Sequence, residues 1–274
     1  MPTPPPGPPR PAEPQPAQPG DEHRELSHDG DLSTPRGSTG ILLCHGFTGS
    51  PASMRPWAQQ LIEAGFTVRL PLLPGHGTHW RDANRTTFAD WLATDTAALQ
   101  ELARQCRRVL VFGLSMGGTL ALRMAQLYPE MVSGLVLVNP SVLSRRRELT
   151  VLPVLKHLVA GVKAIGDDIA LPGVTEHAYP MTPLKALDSL RRAWPLVRAG
   201  LPQVSAPLLL LHSPQDHVVE PENSAVILAS VGSADVTEIV LENSYHVATL
   251  DGDAQLIVDA SIEFADRIAA RDRT

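Results

Sequence analysis

Short unbroken apolar runs alternate along this chain with longer stretches in which apolar residues recur every three or four positions. The unbroken runs are Ile41–Cys44, Val109–Phe112, Leu135–Val138 and the four leucines within Pro207–His212; Phe66–Leu70 and Val236–Leu241, interrupted by Thr and a charged residue, read as further strands of the same series. Apolar residues at consecutive positions predict strands covered on both faces, the pattern of a parallel sheet. The periodic stretches predict helices: Ser53–Ala64 with Trp57, Leu61 and Ile62 on one face, Thr87–Gln105, Met116–Tyr128, Glu222–Val231, and Asp253–Ala270 with Leu256, Ile257, Ala260, Phe264 and Ile268 facing inward. Gly65 supplies the stop of the first. Strand and helix in alternation predict an α/β fold with a mostly parallel central sheet and helices on both faces.

The rhythm fails at two places. Residues 1–20 are half proline, so they have little to bury and are expected to be an extended, disordered tail. Residues 21–37 are polar and can add one edge strand. After Pro140 no clear strand is predicted until about residue 200; Leu152, Leu155, Leu158, Val159, Val162 and Ile165 recur at helical spacing, and Pro183–Arg198 follows as a further helix. An insertion between two strands of a parallel sheet lies above the strand ends, where it acts as a cap or lid. The expected organisation is a Pro-rich tail over 1–36, a core over 37–140 and 201–274, and a helical cap over 141–200.

Composition narrows the setting. No apolar run reaches the ~18 residues of a membrane-spanning helix, and no basic-then-apolar secretory signal opens the chain. Two cysteines, Cys44 and Cys106, make no disulfide framework and suit a reducing cytoplasm. A net charge of −6 argues against nucleic acid as partner.

Chemistry enters at Gly113-Leu114-Ser115-Met116-Gly117, set between a buried strand and a helix rich in small residues. A sharp strand-to-helix turn exposes a serine hydroxyl, and glycines on either side let the two arms approach. A serine nucleophile needs a base and a carboxylate that orients it. Asp216 and His246 follow other predicted strands, and catalytic groups of parallel sheets collect at strand carboxyl ends. Ser115, Asp216, His246 is the chain order of α/β-hydrolase triads. Two N–H donors must face the developing oxyanion; Met116, after the nucleophile, supplies one, and Phe47, in the glycine-flanked loop after the first strand, is the candidate for the other. His45 is expected to bond local backbone, His217 to lie at the surface or pack, and His76 and His79 to line the entrance. Asp251, the rival acid, reads as a helix cap. No cysteine or histidine spacing suits a metal, and no cofactor is required.

Five blocks together are similar to the bacterial monoacylglycerol lipases, within the small bacterial carboxylesterases of α/β-hydrolase fold. They are His45-Gly46-Phe47-Thr48-Gly49, Gly75-His76-Gly77-Thr78-His79, Gly113–Thr119, Asp216-His217-Val218-Val219 and Asn243–Asp251. The resemblance covers about residues 37–269. It implies Ser115, Asp216 and His246 as triad, Phe47 and Met116 as oxyanion hole, and hydrolysis of the single ester of a monoacylglycerol beneath a small apolar cap able to touch membranes. A cytoplasmic protein with peripheral contact at the inner membrane face is the corresponding expectation. Arg145-Arg146-Arg147, at the cap's beginning, reads either as solvated charge or as an anionic-surface contact. The match is weakest over Val142–Ala164, so a carboxylesterase for short acyl esters stays open beside the lipase.

Overall fold

The structure, a computed structural model, describes residues 20–271; the proline tail expected at the N-terminus therefore lies largely outside the described residues. In chain order the elements are β1 (Leu26–His28), β2 (Thr39–Cys44), α1 (Arg55–Glu63), β3 (Thr67–Leu70), α2 (Trp80–Ala83), α3 (Phe88–Gln105), β4 (Arg108–Leu114), α4 (Met116–Leu127), β5 (Gly134–Val138), α5 (Leu152–Leu158), β6 (Gly161–Lys163), β7 (Met181–Pro183), α6 (Leu184–Ala199), β8 (Leu208–His212), α7 (Glu222–Ser230), β9 (Val236–Val240) and α8 (Ala254–Ala269).

Seven strands form one sheet in the order β1-β3-β2-β4-β5-β8-β9, parallel except for β1, which pairs antiparallel with β3. The unbroken apolar runs divide their side chains between two cores. Val109 and Val111 of β4 join α3, α4 and α6 on one face, while Leu110, Phe112 and Leu114 join α1 and α8 on the other. That two-sided burial is why these strands do not alternate apolar with polar. Thr87 and Asp90 make a reciprocal cap at the start of α3, with the Thr87 N–H donating to Asp90 at 2.8 Å.

Several expectations need correction. Residues 21–36 are not all tail: β1 is the predicted edge strand, and Arg36 and Asp29 are tied to the core through Asp266 and Arg69. The run from Leu152 to Ile165 is not one helix. α5 ends at Leu158 and the chain turns into β6, which pairs antiparallel with β7, so the insertion contains a small ribbon where no strand was predicted. Helix-like spacing of apolar residues over so short a stretch does not separate helix from strand. Nor does the cap extend to residue 200: Ala186, Leu190, Trp194 and Val197 of α6 are buried in the same core as α3 and α4, so α6 is part of the helical layer. On α8, Leu256 points to solvent, 42% exposed.

Candidate active site

Ser115 sits between β4 and α4 with φ 57° and ψ −115°, a conformation that side chains adopt only under constraint. The constraint is visible in its neighbours. The Ser115 N–H donates to the Val138 carbonyl at 3.0 Å, and its own carbonyl accepts from Gly118 (3.0 Å) and Ser141 (3.1 Å). The glycines are sterically required: a Cβ on Gly113 would lie 2.4 Å from the Gly117 carbonyl carbon, and one on Gly117 would lie 1.8 Å from the Cys44 carbonyl oxygen. The turn thus presses the start of α4 against the end of β2, beside the loop that carries Phe47. A Cβ on Gly46 would be 3.6 Å from that of Ser115. Neither the Phe47 nor the Met116 N–H is taken up by an acceptor among the hydrogen bonds of the described residues.

Asp216 and His246 come from the loops after β8 and β9, adjacent in the sheet. Asp216 Oδ2 meets His246 Nδ1 at 2.7 Å, and Oδ1 accepts from the Val218 (2.8 Å) and Val219 (2.7 Å) N–H groups. An ionised carboxylate only accepts, so Nδ1 carries the proton and Nε2 keeps a lone pair. Burial pushes the His246 pKa down, but the Asp216 charge and hydrogen bond, with Glu176 and Asp168 behind them, outweigh it and raise it above the ordinary histidine value. Ser115 and His246 line one cavity of about 430 Å³ without a direct hydrogen bond between them among those of the described residues.

Asn139, at the end of β5, was not singled out by sequence. Its amide donates to the His246 carbonyl at 2.8 Å and its oxygen accepts from Ser213 at 2.8 Å, joining the two loops. Asn139 takes a positive φ of 44°, a region that asparagine enters more readily than most other non-glycine residues, so an asparagine at a strand end was the sequence signal.

Most of the cavity wall is apolar, with Phe47, Leu143, Leu149, Ile165, Leu190 and Trp194 among its residues. Polar groups of the insertion also line it, Arg146, Glu148, Lys163, Thr182 and Glu176, and of these Glu176 lies beside the Phe47 loop. One of its oxygens lies 3.7 Å from where a Cβ on Gly49 would stand, and its other accepts from the Asp167 N–H at 3.1 Å. Burial raises its pKa, and the His246 charge opposes the shift. No periodicity marks a lone glutamate in a loop, so sequence offered no signal for it.

His45 behaves as expected: Nδ1 bonds the Gly46 carbonyl at 3.0 Å, Nε2 accepts from Leu73 at 3.2 Å, and burial holds its pKa down at about 3. It braces the loop that carries Phe47 as a neutral ring. His76 and His79 do not line the entrance. His76 is buried against His45, Trp91 and Tyr179, while His79 caps α2. His217 is exposed and bonds Asp168 at 2.8 Å. Asp251 is no helix cap: its carboxylate accepts from Ala170 (2.7 Å), Leu171 (3.0 Å) and Tyr245 (2.9 Å), pinning the insertion to the His246 loop. Of the three arginines, Arg145 pairs with Glu222 and Arg146 donates to the His217 carbonyl at 2.8 Å, so they are tied within the protein. Cys44 is buried, and burial pushes its thiol pKa up. Among the described residues no group of three or more His, Cys, Asp or Glu could hold a metal, and no helix is long and apolar enough to cross a membrane.

Residues 36–253 match the profile of a family described as serine aminopeptidase, S33. A thermostable monoacylglycerol lipase from a Bacillus species is 41% identical over 235 residues, 83% of this chain and 90% of the relative. A carboxylesterase from Bacillus subtilis is 25% identical over 85% of this chain and 94% of its own length. Among solved structures, one from a study of two metagenome-derived lipolytic enzymes superposes with a TM-score of 0.86 at 38% identity, covering 91% of this chain and all of the other (100%). A Paleococcus ferrophilus monoacylglycerol lipase, at 17% identity and TM-score 0.74, covers 89% of this chain and 98% of its own and shares the fold.

Proposed function

The chain belongs to the family described as serine aminopeptidase, S33, and is a carboxylic ester hydrolase of α/β-hydrolase fold; from that premise we propose that it cleaves monoacylglycerols to a fatty acid and glycerol, with Ser115, His246 and Asp216 as nucleophile, base and acid. The observation that carries the reading is His246, held by Asp216 at 2.7 Å and lining the same cavity as the strained Ser115. The similarity to a monoacylglycerol lipase over most of the chain supports the substrate.

His246 Nε2 takes the Ser115 proton as Oγ attacks the ester carbonyl. The Phe47 and Met116 N–H groups receive the oxyanion, and the dipole of α4 favours the same charge. Glycerol leaves with the proton from His246. Water, activated by the same nitrogen, then releases the fatty acid. Residues 141–183 form the cap, whose apolar inner wall receives the acyl chain. Glu176 accepts hydrogen bonds from the free glycerol hydroxyls, which an acyl ester lacking them does not offer. The exposed apolar side chains of α5 supply peripheral contact with a lipid surface.

Fatty-acid release from a long-chain monoacylglycerol, a triacylglycerol emulsion and a short p-nitrophenyl ester tests the reading, with Ser115→Ala as control. The expected result is preference for the monoacylglycerol and a loss of at least about 10⁴-fold in the variant. Activity confined to the short ester would move the assignment to a carboxylesterase. Turnover that survives Ser115→Ala would overturn the mechanism.

A further inference from the structure

The loops carrying Asp216 and His246 leave different strands, and nothing in the local sequence of either fixes its distance to the other. Asn139 and the Ser213 hydroxyl on the Ser244 carbonyl join them from the sheet side, and one side chain of the insertion bridges them from the other. Asp168 Oδ2 accepts from the backbone N–H of His217 and from that of His246, each at 3.1 Å. Its Oδ1 accepts from His217 Nδ1 at 2.8 Å, and its own carbonyl accepts from the Val247 N–H at 3.1 Å. The carboxylate is 11% exposed, and it reaches 78 residues along the chain to His246. Its neighbours Ala170 and Leu171 are held in turn by Asp251 from beneath.

We propose that Asp168 is a positioning residue of the ester hydrolysis, a clamp from the roof of the cavity that sets the mutual register of the acid-bearing and base-bearing loops. The inference rests on the triad assigned above. A carboxylate with three acceptor contacts to two loops adds to the Asn139 and Ser213 ties a restraint on the Asp216 and His246 ends themselves, because each contact is charge-assisted and directional. It also acts on His246 through its charge. The groups facing His246 are Asp216 from the loop after β8 and Glu176 and Asp168 from the insertion; all three favour its protonated form. The groups facing Asp168 are His217 and His246 across the site, Asp167 before it in the chain and Glu176 farther along the insertion. A charge removed at residue 168 therefore lowers the His246 pKa, and the acid limb of activity moves to lower pH.

The test compares wild type, Asp168→Ala and Asp168→Asn in the full chain on a soluble short p-nitrophenyl ester, with competent sites counted by titration of Ser115 with a fluorophosphonate. In Asp168→Ala, kcat per titrated site is expected to fall about 10- to 100-fold, the cost of a misplaced base, with KM within about twofold. The acid limb of kcat/KM moves to lower pH. Asp168→Asn retains one backbone-facing acceptor and recovers most of kcat, with the limb still displaced. Unchanged kcat per titrated site and an unmoved limb in Asp168→Ala would overturn the clamp, whatever the yield of folded protein; so would a wild-type limb in Asp168→Asn. Absence of Ser115-dependent turnover in wild type would overturn the functional reading itself, and the clamp with it.

Discussion

Beneath the cavity, β2, β4, β5 and β8 deliver the Phe47 loop, Ser115, Asn139 and Asp216 from strands whose side chains are almost wholly buried. Above it, the stretch from Arg147 to Pro183 shows Val154 at 67% and Leu158 at 78% exposure, and its small ribbon and short helix are held to the rest by scattered side chains. The floor is over-determined: strain at Ser115 persists because the Val138, Gly118 and Ser141 contacts, and the absence of Cβ atoms at residues 113 and 117, leave it no other arrangement. The roof is held by dispersed polar contacts, among them Asp168, Asp251, the Lys156–Asp188 ion pair, Asn84 on the Ala160 carbonyl at 2.7 Å and the Tyr179 hydroxyl on the Gly75 carbonyl at 2.8 Å. A floor so constrained fixes chemistry. On the function proposed above, the roof is where the substrate is selected.

Gly117→Ala breaks the comparison at its strongest point. Its Cβ would fall on the Cys44 carbonyl, backbone against backbone, with no flexible side chain to yield. The expected cost is about 3 kcal/mol of stability, read by chemical denaturation, with esterase activity lost even on the shortest ester. A variant that stays active and stable would show the elbow to be looser than this geometry implies.

At the other extreme lie substitutions on the roof's outer face. Val154→Ser and Leu158→Ser remove apolar surface that the fold does not bury, so stability is expected to stay within about 0.5 kcal/mol of wild type. Activity on a soluble ester should be unchanged, while activity on emulsified monoacylglycerol and co-sedimentation with vesicles both fall. Equal activity on emulsion and soluble ester would remove the lipid-contact role from α5.

The same contrast governs what the sequence disclosed. The floor, Asn139 apart, was legible because its parts are local: an apolar run predicts each strand, the two glycines predict the turn at Ser115, and strand-end position selects Asp216 and His246. The roof was not. Leu152 to Ile165 carries one spacing but folds as a helix and a strand, since the break at Val159–Ala160 comes from pairing with Met181–Pro183, which lies far along the chain. Glu176 and Asp168 carry no motif because their roles depend on which loops the insertion happens to overlie. α6 reads like a cap helix until its burial against α3 and α4 is seen. Asp251 lies in a block that resembles a family motif, yet its partners, the N–H groups of residues 170 and 171, belong to the segment whose path the sequence leaves open.

The most direct test of a chemistry-bearing floor and a substrate-selecting roof is the ratio of kcat/KM on a long-chain monoacylglycerol to that on a short p-nitrophenyl ester, in wild type and Glu176→Gln. Loss of the carboxylate is expected to lower kcat/KM on the monoacylglycerol about tenfold, the value of a charge-assisted hydrogen bond, and to leave the short ester within about twofold at pH above the His246 transition. Because Glu176 raises the His246 pKa, and His246 must be neutral to act as base, the acid limb for both substrates should move to lower pH. A parallel fall on both substrates would place Glu176 in the chemistry rather than in selection. An unchanged ratio would contradict the division between floor and roof.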